Sequence, residues 1–254
     1  MTGPTEQISR GPARPGWLAA RFRTGAPAGL ALTAAVITLA GCAWALGWLT
    51  ASVVSHPSIA HNDLRVLSFF VSHRTSWRTV LARTVTWLGS GFVLWPVVII
   101  AGLGLWRWRR RWLPAILPAL ALAGAAAWSL LIKTLVGRPR PPAVYWLSHV
   151  DGSSYPSQHA TQALATWGML ALMVAAGRPP RARLLLVTGA ALVAFVVGLT
   201  RLYLAAHWLT DVLGGWALAG VWDSLLIIFY LLTRRAAAAS ADRDARPAAP
   251  REAA

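Results

Sequence analysis

Two histidines and one aspartate have side chains and spacing suited to covalent catalysis. His207 and Asp211 are four residues apart, so they share one face if the segment is helical. The carboxylate of Asp211 could then keep a proton on one imidazole nitrogen and present the other nitrogen as a nucleophile. His159 is a candidate general acid, because the charge of histidine changes near neutral pH. Taken alone, each has a structural alternative: a helix-stabilising pair for the first two, an interfacial histidine for the third.

Cationic residues flank these groups in the sequence. Lys133, the only lysine of the chain, and Arg140 precede His159, and Arg201 precedes His207. A phosphate group needs several fixed cations, and an ammonium with two planar guanidinium groups would supply them. Ser157 lies just before an apolar run, where a helix amino terminus would add backbone N–H donors. The pattern predicts phosphoryl transfer, although each residue alone also fits a helix-end charge or an N-cap.

Arg138 is an additional arginine beside this set, two residues before Arg140 and followed by its own proline. It could bind the second phosphate of a diphosphate substrate. A charge at a helix exit is the alternative explanation.

Long apolar runs must position these motifs. Only 13% of the residues are charged and the mean hydropathy is +0.52, whereas a soluble domain of this length carries about 25% charged residues. Runs of about 20 apolar residues fit helices that cross a bilayer. The sequence therefore predicts an all-α integral membrane bundle of six transmembrane helices in one domain. The predicted spans are residues 28–52, 85–105, 112–136, 161–176, 184–203 and 209–232.

Arginine distribution predicts the orientation of the bundle, because cytoplasmic loops of membrane proteins are enriched in positive charge. With a cytoplasmic amino terminus, sixteen of the 24 basic residues fall in cytoplasmic segments. Both termini are then cytoplasmic, and all three motif segments lie at the extracytoplasmic face. Residues 1–27 and 236–254 are predicted to be disordered cytoplasmic tails around a membrane domain of residues 28–235. Nucleic-acid binding is excluded, because the arginines lie between apolar runs and form no soluble basic face.

The segment between the first two predicted spans, residues 53–84, is amphipathic. Leu64, Leu67 and Phe70 recur at helical spacing within it. Such a segment could lie flat along the outer membrane interface. An ordinary structured loop is the alternative.

Together the motif segments resemble those of the type 2 phosphatidic acid phosphatase (PAP2) superfamily, in its membrane lipid-phosphate phosphatase branch. The family pattern is K-x6-R-P, then P-S-x-H, then S-R-x5-H-x3-D. The resemblance covers about residues 77–232, and six spans are the layout of the membrane branch. The matching segments of this chain are Lys133-x6-Arg140-Pro141, Pro156-Ser157-Gln158-His159 and Arg201-x5-His207-x3-Asp211.

The resemblance implies a role for each matching residue. His207 would be the nucleophile that forms a phosphohistidine, Asp211 would orient it, and His159 would protonate the leaving oxygen. No metal and no cofactor are implied, because positive side chains take the role that magnesium has in many phosphoryl-transfer sites. The implied phosphate-binding residues are Lys133, Arg140, Ser157 and Arg201.

Two positions depart from the family pattern. Gln158 replaces the usual glycine, which would allow a positive φ or a close approach to phosphate. Its amide could instead act as an accessory donor or crowd the site, so the substitution bears on substrate range and rate. Thr200 replaces the usual serine and keeps the hydroxyl.

The function expected from the residues and the resemblance is hydrolysis of a lipid phosphomonoester, or of a polyprenyl or other lipid diphosphate, in a bacterial cell membrane. Candidate substrates are undecaprenyl or other polyprenyl diphosphate, phosphatidic acid and phosphatidylglycerol phosphate. A non-hydrolytic lipid-phosphate transporter or flippase is the alternative, as is a catalytically altered family member. A haloperoxidase on the same site is disfavoured, because that branch is soluble. The sequence leaves the lipid and the oligomeric state open.

Overall fold

The fold is built entirely from helices in the part of the chain that the structure, a computed structural model, describes: residues 27–55 and 57–244. Eight α-helices and two short 3₁₀ turns, Thr86–Gly89 and Ala143–Tyr145, account for its regular structure, and these residues form no strand. The predicted all-α class is confirmed. The helices are α1 (Pro27–Ser55), α2 (Pro57–Ser72), α3 (Ser76–Val85), α4 (Gly91–Arg109), α5 (Trp112–Val136), α6 (Gln158–Ala175), α7 (Pro180–Tyr203) and α8 (Leu209–Asp244).

Five of these helices, α1, α4, α5, α7 and α8, are long and apolar enough to cross a membrane. The fourth predicted span is the helix α6, which does not belong to that set. It packs against α4, α5, α7 and α8, and it buries the polar side chains of Thr161, Gln162 and Thr166. Because neighbouring helices cover α6, its surface does not have to match lipid. Six spans therefore describe the bundle approximately, as five apolar helices and a central, more polar one.

The second predicted span begins later than residue 85. The helix α3 ends at Val85, a 3₁₀ turn covers Thr86–Gly89, and α4 starts at Gly91. Ser90 forms the break, since it is extended and its side chain accepts a hydrogen bond from the Phe92 N–H at 3.3 Å. The apolar residues before Ser90 continue the hydrophobic run without continuing the helix, which is why periodicity misplaced the boundary.

The amphipathic segment between the first two spans is helical. In α2 the side chains of Leu64 and Phe69 are exposed, whereas Asp63 and Leu67 are buried. The helix packs against α1, α7 and α8. The helical spacing is confirmed and the ordinary structured loop is wrong, whereas the position along the outer membrane interface stays a prediction.

At the carboxyl end, α8 continues to Asp244, so residues 236–244 are helical, whereas a disordered tail was expected there. Alanines dominate this extension, and alanine has the highest helix propensity. The rest of that tail, residues 245–254, and residues 1–26 of the amino-terminal tail lie outside the described residues.

Small residues bring α5, α6 and α8 together in the interior. Ala121, Ala125, Ala165 and Ala219 are completely buried in one cluster. Gly124 shows how close the approach is, because a Cβ at this position would lie 2.1 Å from an indole carbon of Trp222.

The outside of the bundle is apolar. Ile37, Trp44, Phe92 and Leu135 are each at least 67% exposed. Large exposed apolar surface is rare on soluble monomers and is expected where lipid replaces water. The chain is therefore a multi-pass membrane protein, and its polar residues are concentrated at helix ends.

Candidate active site

The three motif segments meet at one end of the bundle. This end contains the carboxyl end of α5, the amino end of α6, and the connection from α7 to α8. Backbone hydrogen bonds join these pieces: the N–H of Ser157 donates to the Asp211 carbonyl at 2.9 Å, and the N–H of Leu147 donates to the Leu204 carbonyl at 3.1 Å. The antiparallel order of α5 to α8 therefore brings residues far apart in sequence into one site.

His207 and Asp211 form a buried pair. The Nδ1 atom of His207 lies 3.3 Å from Oδ2 of Asp211, and the same oxygen accepts the Trp208 N–H at 2.9 Å. An ionised carboxylate only accepts hydrogen bonds, so this contact assigns the imidazole proton to Nδ1. The Nε2 atom is then left with its lone pair, and a guanidinium nitrogen of Arg140 lies 3.4 Å from it.

The surroundings of His207 keep its imidazole neutral. The pKa of His207 lies well below its usual value, first because the ring is buried and then because of the positive charges of Arg201, Lys133 and Arg140. A lowered histidine pKa means that the neutral ring, which is the nucleophilic form, predominates at neutral pH.

Three cations surround this pair without being neutralised. The Nζ atom of Lys133 donates to the Ser153 carbonyl at 2.6 Å, and Arg140 donates to the Ala206 carbonyl at 2.7 Å. Arg201 is 5% exposed. Among the described residues, none of the three cations forms a salt bridge with a carboxylate. Backbone carbonyls orient Lys133 and Arg140, the Thr86 hydroxyl accepts a hydrogen bond from Arg201 at 3.0 Å, and these neutral partners leave the positive charges available to an anion.

The second motif forms the first turn of α6. Ser157 occupies the N-cap position, is completely buried, and makes no side-chain cap hydrogen bond. Within the described part of the chain its Oγ atom has no hydrogen-bond partner. Gln158 and His159 follow in the first helical turn and are half-buried. The hydroxyl of Ser157 is thus available to a ligand and does not serve as the cap that Ser157 alone would suggest.

Arg138 is placed differently from the other cations. Its guanidinium donates to Oδ1 of Asp211 at 2.5 Å and to Oδ2 of Asp63 at 2.6 Å. It also donates to the hydroxyl of Thr210 at 2.7 Å. Two carboxylates therefore hold Arg138, and its charge is not free for a second phosphate, the accessory role that the sequence suggested.

Asp63 is the residue of this end of the bundle that sequence reasoning missed. It is 1% exposed and comes from α2, outside all three motifs. A signal was present, since Asp63 is the only acidic residue in residues 53–84. It lies four residues before Leu67 and seven before Phe70, on the apolar face of the helix.

A buried histidine–aspartate pair among unneutralised cations, at the helix ends of a membrane bundle, has the chemistry that hydrolysis of a phosphate ester requires. Comparisons with known proteins agree with this class. The model of the PAP2 superfamily matches residues 114–235. Phosphatidylglycerophosphatase B of Bacillus subtilis (strain 168) is 26% identical over 186 residues, covering 72% of this chain and 88% of that protein.

Two solved structures share the fold. A transmembrane PAP2-type phosphatidylglycerolphosphate phosphatase from Bacillus subtilis superimposes with a TM-score of 0.70 at 24% identity, covering 79% of this chain and 96% of that chain. LpxE of Aquifex aeolicus gives a TM-score of 0.52 at 24% identity, covering 66% and 94%. The chain therefore resembles the PAP2 superfamily in the sequence of residues 114–235, as its motifs predicted, and it shares the fold of a PAP2-type phosphatase.

Proposed function

We propose that this chain hydrolyses a lipid phosphate at the extracytoplasmic face of the membrane, through a phosphohistidine on His207 and without a metal ion. The observation that carries the proposal is the convergence of the His207–Asp211 pair with three cations that no carboxylate neutralises. An anion with two or three charged oxygens complements that charge, and the Nε2 lone pair of His207 lies among the same cations.

The reaction would proceed in two steps. In the first, Nε2 of His207 attacks phosphorus, the bond to the lipid oxygen breaks, and His159 gives its proton to that oxygen to release the lipid alcohol. In the second, His159 takes a proton from water, the resulting hydroxide attacks the phosphohistidine, and inorganic phosphate leaves. Nδ1 of His207 keeps its proton throughout and donates it in a hydrogen bond to Asp211. The Asp211 carboxylate stabilises the positive charge that develops on the ring.

Lys133, Arg140 and Arg201 would bind the phosphate oxygens, with the hydroxyl of Ser157 as a further donor. Their fixed charges supply the stabilisation of the transition state that a divalent cation supplies elsewhere. Gln158, in the first turn of α6, remains an accessory candidate.

A phosphomonoester of a glycerolipid is the substrate class we favour. The Bacillus subtilis relative is named a phosphatidylglycerophosphatase. The ion pairs of Arg138 with Asp63 and Asp211 also occupy the cation that the sequence predicted for a second phosphate. Phosphatidylglycerol phosphate is therefore the first substrate to test, followed by phosphatidic acid and a polyprenyl diphosphate.

The test is phosphate release by the purified protein in detergent, with these three lipids and with EDTA present. We expect His207→Ala to lose at least about a thousandfold in kcat, because removing a nucleophile removes the whole covalent route. His149→Ala is the matched control, since the imidazole of His149 is 87% exposed, and it should retain full activity.

Several outcomes would count against the proposal. Full activity in His207→Ala would remove the phosphohistidine. Loss of activity in EDTA that magnesium restores would remove the metal-free mechanism. Tight binding of the lipids without phosphate release by the wild type would favour a transporter.

A further inference from the structure

A buried ion-pair chain links the helix α2 to the His207–Asp211 pair. Asp63 of α2 and Asp211 of α8 each accept one hydrogen bond from the Arg138 guanidinium, at 2.6 and 2.5 Å. The two carboxylates are 1% and 0% exposed, and the Arg138 side chain is 12% exposed. Charges so deeply buried are strongly destabilising unless they are paired with good geometry, so each member of this chain depends on the others.

Asp63 also fixes the first turn of α8. Its Oδ1 atom accepts the backbone N–H of Thr210 at 3.0 Å, and its Oδ2 atom accepts the Thr210 hydroxyl at 2.7 Å. Thr210 is the second residue of α8, whose first N–H groups have no partner within the helix. A side chain from another helix thus caps α8 next to Asp211.

The two carboxylate oxygens of Asp211 therefore have different hydrogen-bond partners. Oδ1 accepts a hydrogen bond from Arg138, while Oδ2 accepts one from the Trp208 N–H and faces Nδ1 of His207. If Asp63 lost its charge, Arg138 would be free to draw the Asp211 carboxylate toward itself, and the amino end of α8 would lose its cap. Both changes would shift the carboxylate that orients the nucleophile.

We infer that Asp63, acting through Arg138 and the cap on α8, is a positioning residue for the His207–Asp211 pair. This inference rests on the proposed function of His207. Asp63 does not contact the imidazole of His207, so its effect should fall on kcat and not on the binding of substrate. Residues that hydrogen-bond to the partners of a functional side chain, and so orient it, typically contribute about 10- to 100-fold to activity.

The experiment measures kcat and KM for phosphatidylglycerol phosphate in Asp63→Asn, Asp63→Glu and Arg138→Gln, each alone, and in the Asp63→Asn/Arg138→Gln double variant. We expect Asp63→Asn to lose about 10- to 100-fold in kcat with KM changed less than about threefold, and Asp63→Glu to recover part of the loss. The double variant should fall well short of the product of the single losses, because both act on one network.

Two further arms make the result decisive. Arg65→Gln is the control on the same helix, since Arg65 is exposed, and it should behave as wild type. Size-exclusion chromatography of each variant distinguishes a loss of kcat from a loss of folding, because a folded variant elutes as a single species. Wild-type kcat in folded Asp63→Asn, with His207→Ala inactive, would overturn this inference alone. Full activity of His207→Ala would overturn both it and the proposed function.

Discussion

At the scale of the residue, the two histidines of the site have different surroundings, and we propose different roles for them. His207 is 4% exposed and is tied to Asp211, whereas His159 is half-buried in the first turn of α6. A nucleophile needs a fixed ring with a free lone pair, whereas a general acid has to reach the leaving oxygen in the first step and the attacking water in the second. The more accessible histidine is therefore the one suited to proton transfer.

Replacing His159 should affect substrates according to their leaving group. A lipid alkoxide is a poor leaving group and needs a proton, whereas p-nitrophenolate leaves without one. In His159→Ala we expect the first turnover of a lipid phosphate to fall by about 10²- to 10⁴-fold. The first turnover of p-nitrophenyl phosphate should fall much less, and a burst of p-nitrophenol should precede slow release of phosphate. Rapid-quench and stopped-flow measurements follow the two reactions.

The control for this prediction is His207→Ala, which should abolish the first turnover of both substrates. Equal losses with lipid and aryl phosphates in His159→Ala would show that His159 is not the general acid.

At the scale of the element, the site depends on how closely α8 approaches the start of α6. Gly215 lies one turn after Asp211 on the same face of α8, and a Cβ at this position would lie 2.7 Å from the Ser157 carbonyl oxygen and 3.0 Å from the Thr161 hydroxyl. Only glycine permits this approach. The same face of α8 therefore carries Asp211 and receives the first turn of α6.

Gly215→Ala should lower both thermal stability and activity. The added methyl group overpacks a backbone contact, which costs about 1–3 kcal/mol, and it would move Ser157 away from the cations. Melting in detergent and phosphate release measure the two effects.

Gly189→Ala in α7 is the matched control, because a Cβ there meets nothing within 4 Å. It should leave activity unchanged and stability equal or slightly higher. A Gly215→Ala protein that melts and turns over as wild type would show that the contact can relax freely.

At the scale of the whole molecule, the site lies at one end of the bundle and the arginine-rich connections lie at the other. The turn Ala143–Tyr145, between α5 and α6, belongs to the site end. Ser240 lies near the far end of α8, about 45 Å from Leu209 at 1.5 Å per residue. That distance exceeds the roughly 30 Å hydrocarbon thickness of a bilayer. Ser240 and the turn Ala143–Tyr145 at the site end therefore report opposite faces of the membrane.

Labelling of single cysteines tests the proposed orientation. In a Cys42→Ser background, Val144→Cys should react with a membrane-impermeant maleimide on intact spheroplasts, because Val144 is 83% exposed at the site end. Ser240→Cys, also at an exposed position, should react only after permeabilisation. The reverse pattern would place the site in the cytoplasm and contradict the positive-inside prediction.

The sequence alone determined the class of fold, and it predicted the family resemblance and most of the candidate site, because these depend on local signals. Apolar runs of bilayer length specify helices wherever they occur, and the spacings from Lys133 to Arg140 and from His207 to Asp211 lie within single segments. The break at Ser90 could not be predicted in this way, because the hydrophobic run continues through a turn that interrupts the helix.

Only the tertiary structure decided what Arg138 and Asp63 do. The two residues are 75 positions apart, so no periodicity relates them, and an arginine between Gly137 and Pro139 looks the same in sequence whether it faces a phosphate or a carboxylate. Packing of α2 against α8 brings the Asp63 carboxylate to Arg138, and burial makes their pairing obligatory. The histidines and the three other cations could be predicted from their motifs, but the residues that hold the pair in place became visible only when the helices were assembled.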